Sequence, residues 1–216
     1  MSNFILHNYF RSSTSFRVRV ALNLKGIDYD YQSYHLRKGE QRSDAMLKLN
    51  AQGLVPVLEL PDSTVLSQSM AIMEWLDETY PKAPLLPDTI ADRARVRSLA
   101  QMIACEIHPL NNLRVLATLK SKFGADDEAV ADWFKTWVAA TFEPLENRLA
   151  SETYTGDFCH GDTPGIADIC LSAQVINNAR FAVDMAPYPT IAAIHKRCMV
   201  LEAFDKAKPA FQPDAE

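Results

Sequence analysis

The chain has 216 residues and a formal net charge of −5, and 48% of its residues are hydrophobic and 23% are charged. This length allows one large domain or two smaller ones with a proper hydrophobic core. The mild negative charge gives no reason to expect nucleic acid or an acidic membrane surface as a partner, and no apolar run approaches the ~20 residues of a membrane span.

The cysteines indicate neither a metal site nor a disulfide framework. Cys105, Cys159, Cys170 and Cys198 form no C-x-x-C pair, and their spacing matches no zinc site. Free thiols suit a reducing compartment, so we expect a cytoplasmic protein. The first residues lack the charged and apolar regions of a signal peptide, and we expect none.

The first eighty residues predict a small mixed sheet with helices. Phe4–Leu6 is typical of a strand, a mostly apolar helix follows Ser15 and stops at Gly26, and the aromatic stretch Tyr29–Tyr34 predicts a second strand. A strand, a helix and a strand in that order predict a parallel pair with a right-handed crossover. The remaining elements predicted here are a polar loop at 37–43, a short helix at Asp44–Leu49, strands at Val55–Leu60 and Thr64–Leu66, and a helix from Ser67–Ser69 to Tyr80.

Three prolines, at positions 81, 84 and 87, predict a linker between two domains. We therefore expect an α/β domain over residues 1–82 and an all-α domain over residues 88–216. Beyond the linker the apolar residues recur at helical spacing only. The predicted helices run from the Thr89 cap to about Ile107, with a kink or break at Pro109, and then cover 127–149, 166–176 and 191–201, with a loosely ordered tail at 208–216.

A run of hydroxyl side chains flanked by arginines, Arg11 to Arg17, lies directly before the first helical pattern. Hydroxyls at a helix N-terminus satisfy free N–H groups, and the helix dipole places partial positive charge there. This combination favours an anion, and a bound thiolate would become a better nucleophile. The alternative is an ordinary hydroxyl N-cap beside solvated arginines, and the run by itself leaves both open.

Several segments together resemble the cytosolic glutathione S-transferases and, among them, the zeta class. Val55-Pro56 resembles the V-P element of that family, Gln68-Ser69 its glutathione-binding pair, and Ala167-Asp168 its folding motif in the helical domain. Residues 12–19 (SSTSFRVR) are similar to the zeta-class signature S-S-C-x-x-R-V-R. Residues 107–113 and 180–189 are similar to two further zeta-class stretches, so the resemblance covers nearly the whole chain.

The resemblance implies a thioredoxin-like N-terminal domain followed by an all-helical domain, with glutathione as cofactor and a homodimer as the assembly. Zeta-class members isomerise maleylacetoacetate, or maleylpyruvate in some bacterial pathways. The implied reaction is reversible addition of the glutathione thiolate to the maleyl double bond of a small dicarboxylic keto acid. The primary expectation is conversion of maleylacetoacetate to fumarylacetoacetate in aromatic amino-acid catabolism, including tyrosine and phenylalanine degradation.

The resemblance also implies roles for individual residues. Thiolate stabilisation falls to Ser12, with its neighbours Ser13 and Thr14; the last stands where relatives hold a cysteine, so it can act only through its hydroxyl. The residues expected to bind glutathione are Gln41, Val55, Gln68, Ser69, His108 and Asn112. The resemblance also implies that Arg180 contacts a substrate carboxylate, because guanidinium groups bind carboxylates in a bidentate manner. Apart from the resemblance, Arg11 and Arg114 are further candidates for this contact, with solvation at the surface as the alternative for Arg11.

Three alternatives remain at the level of sequence. Maleylpyruvate isomerisation, in gentisate or salicylate breakdown, fits the same residues. A non-catalytic glutathione transferase-like binding protein would need no thiolate stabilisation, so the hydroxyl run argues against it. A thiol-disulfide oxidoreductase of similar fold is disfavoured because residues 1–104 contain no cysteine.

Overall fold

The structure, a computed structural model, describes residues 3–216. The chain forms two compact units, one of residues 3–85 with 200–216, and the other of residues 86–199. The division after Leu85 falls inside the predicted proline-rich linker. The C-terminal seventeen residues, however, belong to the first unit, whereas the sequence assigned them to the second.

The first unit contains a four-stranded mixed sheet in the order β2-β1-β3-β4. Its strands are β1 (Phe4–Asn8), β2 (Tyr29–Ser33), β3 (Val57–Glu59) and β4 (Val65–Ser67). The predicted parallel pairing of β1 with β2 is confirmed, and β3 pairs antiparallel with both β1 and β4. The third strand is shorter than the predicted Val55–Leu60 at both ends, and the Val55–Pro56 peptide bond that precedes it is cis.

Four helices accompany this sheet: α1 (Ser13–Lys25), α2 (Asp44–Leu49), α3 (Ser69–Thr79) and, near the C-terminus, α9 (Glu202–Asp205). Helix α1 ends at Gly26, which adopts the left-handed conformation that glycine tolerates best. Helices α1 and α3 pack together, and their buried faces supply apolar side chains to one core, among them Val18, Val20, Leu22, Ile72, Met73 and Leu76.

The expectation of a loose tail at 208–216 is wrong, because Pro209–Phe211 form a 3₁₀ turn and the Asp214 carboxylate accepts from the backbone N–H of Phe10 at 3.1 Å. The residues just before this range are packed as well. Phe204 and Ala207 are fully buried, and Phe204 contacts Phe16 of α1 edge-to-face. The side chain of Gln212 donates to the carbonyl groups of Lys206 and Lys208, both at 2.8 Å. These contacts depend on single side chains with no periodic pattern, which is why hydrophobic spacing did not reveal them.

The second unit is helical: α4 (Ile90–Gln101), α5 (Leu113–Phe123), α6 (Asp127–Ser151), α7 (Ile166–Asn178) and α8 (Pro189–Met199). The predicted Thr89 cap is present, because its hydroxyl accepts from the backbone of Asp92 at 3.1 Å. After α4 the chain continues as a π-helix, Met102–Ile107, instead of the predicted α-helix. The core of α6 is formed by Phe134, Val138 and Phe142, whereas Trp133 and Trp137 are half-buried.

A buried carboxylate organises the start of α7. Asp168 accepts from the backbone N–H groups of Cys159 at 2.8 Å and Gly165 at 2.9 Å. Burial raises the pKa of Asp168, and these hydrogen bonds act in the opposite direction. Because Gly165 has no side chain, only this half of a capping box forms. Of the helices in residues 3–216, none is long and apolar enough to cross a membrane.

Candidate functional site

The predicted hydroxyl run forms the N-terminus of α1. Ser12 is the N-cap residue, with extended backbone dihedrals, and its Oγ accepts from the backbone N–H of Ser15 at 3.1 Å. Ser12 and Ser13 are half-buried, whereas Ser15 is fully buried. The hydroxyl of Ser12 therefore lies where the free N–H groups and the helix dipole create positive potential.

A chain of hydroxyl groups links this helix end to the loop before β3. The hydroxyl oxygens of Ser12 and Thr14 are 2.9 Å apart, and Thr14 Oγ1 donates to the carbonyl oxygen of Val55 at 3.1 Å. A carbonyl oxygen only accepts, so the proton of Thr14 points to Val55. Ser12 must then be the donor to Thr14. Threonine thus makes a contact through its hydroxyl at the position where the zeta-class signature has cysteine.

The loop that carries Val55 is held from the other side as well. The Asn50 amide donates to the carbonyl of Leu54 at 2.9 Å. The following Val55–Pro56 peptide bond is cis. The V-P element and the hydroxyl run are therefore adjacent in space as well as fixed in orientation.

The start of α3 forms a second helix N-terminus in this unit. Gln68 is the N-cap residue and has a positive φ of 70°, an uncommon conformation for a residue with a side chain. Gln68 is exposed, whereas Ser69 is only 5% exposed. The Gln68 amide donates to the side chain of Gln52 at 3.2 Å. Gln52, which the sequence analysis did not single out, is therefore in contact with the predicted Gln68-Ser69 pair.

A buried cation lies beside Ser69. Arg17 of α1 is 1% exposed, and its Nη1 donates to Ser69 Oγ at 3.4 Å. This contact joins the hydroxyl-rich helix to the predicted Gln68-Ser69 pair. Sequence reasoning placed Arg17 only at the border of the hydroxyl run. The one signal available was an arginine inside a predominantly apolar helix.

Two further predicted residues of the first unit lie close to these loops in sequence. Arg11 precedes Ser12, is half-buried, and stacks over the Phe10 ring at 5.1 Å from its centroid. Gln41 is in a short 3₁₀ segment, Glu40–Arg42, and its side-chain carbonyl oxygen is buried with no hydrogen-bond partner.

The remaining predicted residues belong to the second unit. His108 follows the π-helix, and its backbone N–H donates to Ile103 at 3.0 Å across the wider π turn. Asn112 is the N-cap of α5, where its side chain accepts from the backbone of Arg114 at 3.2 Å. Arg114 is exposed.

Arg180 lies in a 3₁₀ turn, Ala179–Phe181, directly after α7. Its guanidinium donates to the Asn177 side chain at 3.2 Å and lies over the Phe181 ring, and the residue is exposed. The Phe181 ring in turn stacks on Phe134 of α6, with centroids 3.9 Å apart. The cation is thus held on an aromatic platform rather than extended freely into solvent.

The first unit therefore brings Ser12, Thr14 and Val55 into one hydrogen-bonded chain and joins α1 to Ser69 through Arg17. Within residues 3–216, no group of three or more histidine, cysteine, aspartate or glutamate side chains is arranged to hold a metal ion. The groups that the first unit brings together here are hydroxyl donors, helix N-termini and a buried guanidinium.

Comparison with known proteins gives consistent matches over the whole chain. Residues 11–79 match the family model for the glutathione S-transferase N-terminal domain. A maleylpyruvate isomerase of Ralstonia sp is 48% identical over 97% of this chain and 99% of its own length. A holo structure of a maleylpyruvate isomerase, described as a bacterial zeta-class glutathione S-transferase, superposes with a TM-score of 0.96 at 48% identity, over 98% of this chain and all of that one.

A maleylacetoacetate isomerase of Methylobacterium extorquens AM1, solved with bound malonate and glutathione, gives a TM-score of 0.95 at 40% identity. That match covers 98% of this chain and 99% of the other.

Proposed function

The chain belongs to the zeta class of the glutathione S-transferase family, and on that premise we propose that it converts maleylacetoacetate to fumarylacetoacetate by glutathione-dependent cis–trans isomerisation. The observation that carries the proposal is the hydroxyl chain from Ser12 through Thr14 to Val55 at the N-terminus of α1. It provides a hydrogen-bond donor at a place of positive potential, beside the V-P element.

The residues of the first unit fit glutathione as a cofactor. The N-terminus of α3, with Gln68 and Ser69, suits a carboxylate, because both its free N–H groups and its dipole favour an anion. Val55 offers its backbone groups to a peptide-like ligand, and Gln41 has a buried carbonyl oxygen that lacks a donor. His108 and Asn112 remain candidate glutathione ligands from the second unit.

Glutathione, when bound, supplies a thiolate that adds reversibly to an alkene carbon, so that the former double bond can rotate before the thiolate leaves. The role of Ser12 is to turn its hydroxyl proton from Thr14 to the sulfur and so lower the thiol pKa. Thr14 keeps its own proton on Val55 and accepts the Ser12 proton until glutathione binds. Ser13, on the same helix end, contributes to the same positive potential.

We assign the substrate carboxylates to arginine side chains. Arg180 is the first candidate because it is exposed, its guanidinium lies over the Phe181 ring, and a guanidinium group binds a carboxylate in a bidentate manner. Arg11 and Arg114 are further candidates for the second carboxylate of a dianionic substrate. Two carboxylate contacts restrict the orientation of a bound substrate, and orientation contributes a large part of the rate enhancement in such reactions.

A second candidate substrate is maleylpyruvate. It is favoured by the 48% identity to the Ralstonia maleylpyruvate isomerase. The two substrates differ in the carbon chain between the keto group and the acid end. The residues assigned above serve either one, so the choice depends on the length of chain that the protein accommodates.

The test is turnover of both maleyl substrates by the purified protein, with and without glutathione, followed through loss of the cis-alkene absorbance. We expect glutathione-dependent turnover, with the higher kcat/KM for maleylacetoacetate. A higher kcat/KM for maleylpyruvate would select the second candidate. No turnover of either substrate, together with no thiolate absorbance from bound glutathione near neutral pH, would instead indicate a non-catalytic binding protein.

The proposal includes a homodimer and a cytoplasmic location. All four cysteines are free, and three of them are buried, which suits a reducing compartment. Light scattering of the purified protein tests the assembly directly: a mass of twice the chain's 24.2 kDa is expected.

A further inference from the structure

Helix α1 buries two arginines whose surroundings differ. Arg17 is 1% exposed and Arg19 is fully buried, although α1 is mostly apolar. The two are two positions apart, which places them on nearly opposite sides of a helix. Each buried guanidinium carries five N–H donors that require acceptors. The two arginines differ in how many of their nitrogen atoms have one.

Arg19 finds acceptors for all three of its nitrogen atoms. Its Nε and Nη2 donate to the Ala207 carbonyl, at 3.2 and 3.1 Å, and Nη2 also donates to Phe10 at 3.0 Å. Its Nη1 donates to the Asn8 side chain at 2.9 Å. This arginine is satisfied by the protein itself and serves the packing of the first unit.

Arg17 has one acceptor. Its Nη1 donates to Ser69 Oγ at 3.4 Å, while Nε and Nη2 are buried without any hydrogen-bond partner. A buried guanidinium in this state costs stability, because its desolvation is not compensated by a negative partner. Such an exception in a folded protein calls for an explanation, and a ligand is one.

The contact with Ser69 also fixes the polarity of that hydroxyl. Arginine has donors only, so Ser69 Oγ must accept from Arg17. The single proton of the Ser69 hydroxyl is then available for another acceptor. Ser69 is the first residue of the eleven-residue helix α3, where free N–H groups and the dipole already favour an anion.

We infer that Arg17 is a positioning residue for the γ-glutamyl carboxylate of glutathione, which it serves by orienting and polarising the Ser69 hydroxyl. This inference rests on the proposed function, since it takes glutathione to be the ligand. Arg17 supplies the buried positive charge behind Ser69, and the carboxylate compensates that charge when glutathione binds. Charge-assisted hydrogen bonds are stronger than neutral ones, so the contribution is to affinity for this one group of the ligand.

The test compares two ligands on each variant by isothermal calorimetry. The ligands are glutathione and 4-aminobutanoyl-cysteinylglycine, which lacks only the γ-glutamyl carboxylate. We expect the wild-type protein to prefer glutathione by roughly 10-fold or more, the size typical of a hydrogen bond to a charged group. Arg17→Met should lose most of this preference by weakening glutathione alone, with Kd for the analogue within about twofold of wild type.

Two further variants separate this role from a structural one. Arg17→Lys keeps the charge and should restore part of the preference, and Arg17→Gln, which keeps a neutral donor for Ser69, replaces the methionine variant if that one does not fold. In a Ser69→Ala background the Arg17 substitution should have a smaller effect, because the path through the hydroxyl is gone. Arg19→Lys is the matched control: it should lower the melting temperature and leave the ligand preference unchanged.

The kinetic readout is a rise in KM for glutathione with kcat at saturating glutathione within about threefold of wild type. Equal weakening of both ligands in Arg17→Met and Arg17→Gln, or no weakening, would overturn the inference while wild-type turnover leaves the proposed function standing. A wild-type protein that does not bind glutathione would overturn both. Binding with the expected preference but without isomerisation would contradict the proposed function alone.

Discussion

At the scale of single residues, Ser12 has two functions that can be separated. Its oxygen caps α1 by accepting from Ser15, and its proton, now given to Thr14, is the one proposed to reach the sulfur of glutathione. The cap depends on the acceptor and catalysis on the donor. A substitution that removes both therefore needs a control that removes a cap only.

Ser12→Ala should lower kcat/KM by on the order of 10²-fold or more, as loss of a donor to developing charge typically does. It should also cost about 1 kcal/mol of stability as a lost N-cap. The control is Thr89→Ala, which removes the comparable cap of α4 and should affect stability only. Steady-state kinetics and urea unfolding of both variants check this. Activity of Ser12→Ala within a factor of two of wild type would contradict the assignment.

Among single residues, the sequence predicted those in local patterns and missed those defined by contacts between distant segments. The hydroxyl run, the V-P element and the Gln68-Ser69 pair are local patterns, so the sequence predicted them. Arg17 and Gln52 enter through contacts between segments far apart in the chain, to Ser69 and Gln68 respectively. An arginine inside an apolar helix indicates a buried charge, but its partner is decided by the packing of α1 on α3.

At the scale of elements, strand β1 carries a buried histidine, His7, whose side chain contacts Tyr34, directly after β2, and Glu59 of β3. The imidazole of His7 lies 3.2 Å from the Tyr34 hydroxyl and 3.4 Å from a carboxylate oxygen of Glu59 on β3. Burial lowers the pKa of His7 below its ordinary value of 6.5, and Glu59 only partly opposes this. The folded protein thus favours the neutral imidazole.

The sign of the pH dependence follows from that shift. Below pH 6.5 the unfolded chain takes up a proton at this histidine before the folded chain does, so stability falls until the pH passes the lowered pKa of the folded state. Urea midpoints measured from pH 7.5 downward should show this loss for the wild-type protein. His7→Gln should flatten the profile; an unchanged slope in that variant would contradict the account.

The start of helix α7 is stabilised by the carboxylate of Asp168, which belongs to the helix itself. Asp168→Ala leaves the backbone N–H groups of Cys159 and Gly165 without their acceptor, so we expect a loss of roughly 2–5 kcal/mol from two unsatisfied groups. Asp168→Asn retains an acceptor and should lose less. Asp132→Ala, on the exposed face of α6, serves as the control. If urea unfolding gives Asp168→Ala and the control the same free energy of unfolding, the buried carboxylate does not stabilise the protein as proposed.

Elements were predicted well where a periodic pattern extends over two turns or more. Helices α1, α3 and α6 follow from such patterns, and the parallel β1–β2 pair follows from the strand-helix-strand order. The π-helix at Met102–Ile107 has no pattern of its own, because the same apolar residues suit an α-helix.

At the scale of the whole molecule, the C-terminal segment belongs to the unit that carries the hydroxyl run. The Asp214 carboxylate accepts from the backbone N–H of Phe10 at 3.1 Å and from the Tyr31 hydroxyl. Burial, together with the hydrogen bond to Asp214, raises the pKa of Tyr31, so that its hydroxyl remains protonated. Phe10 lies two positions before Ser12, and its carbonyl is held by Arg19.

Asp214→Ala should therefore loosen the loop between β1 and α1. The buried Phe10 loses the acceptor of its N–H, and we expect stability to fall by about 1–3 kcal/mol and the Kd for glutathione to rise severalfold. Glu202→Ala removes an exposed ion pair with Lys206 in the same segment and should change neither quantity. Calorimetry with glutathione and thermal unfolding decide the matter. A Kd for Asp214→Ala equal to that of Glu202→Ala would show that the segment does not support the site.

The central claim is that glutathione acts as a catalyst that is released unchanged. The most direct measurement is a thiol balance: the protein is incubated with a maleyl substrate in large excess over glutathione, and trans product and free thiol are followed together. We expect many equivalents of trans product per glutathione, with the free-thiol concentration constant. Product that stops at one equivalent while free thiol disappears would contradict it, because the protein would then be forming a conjugate.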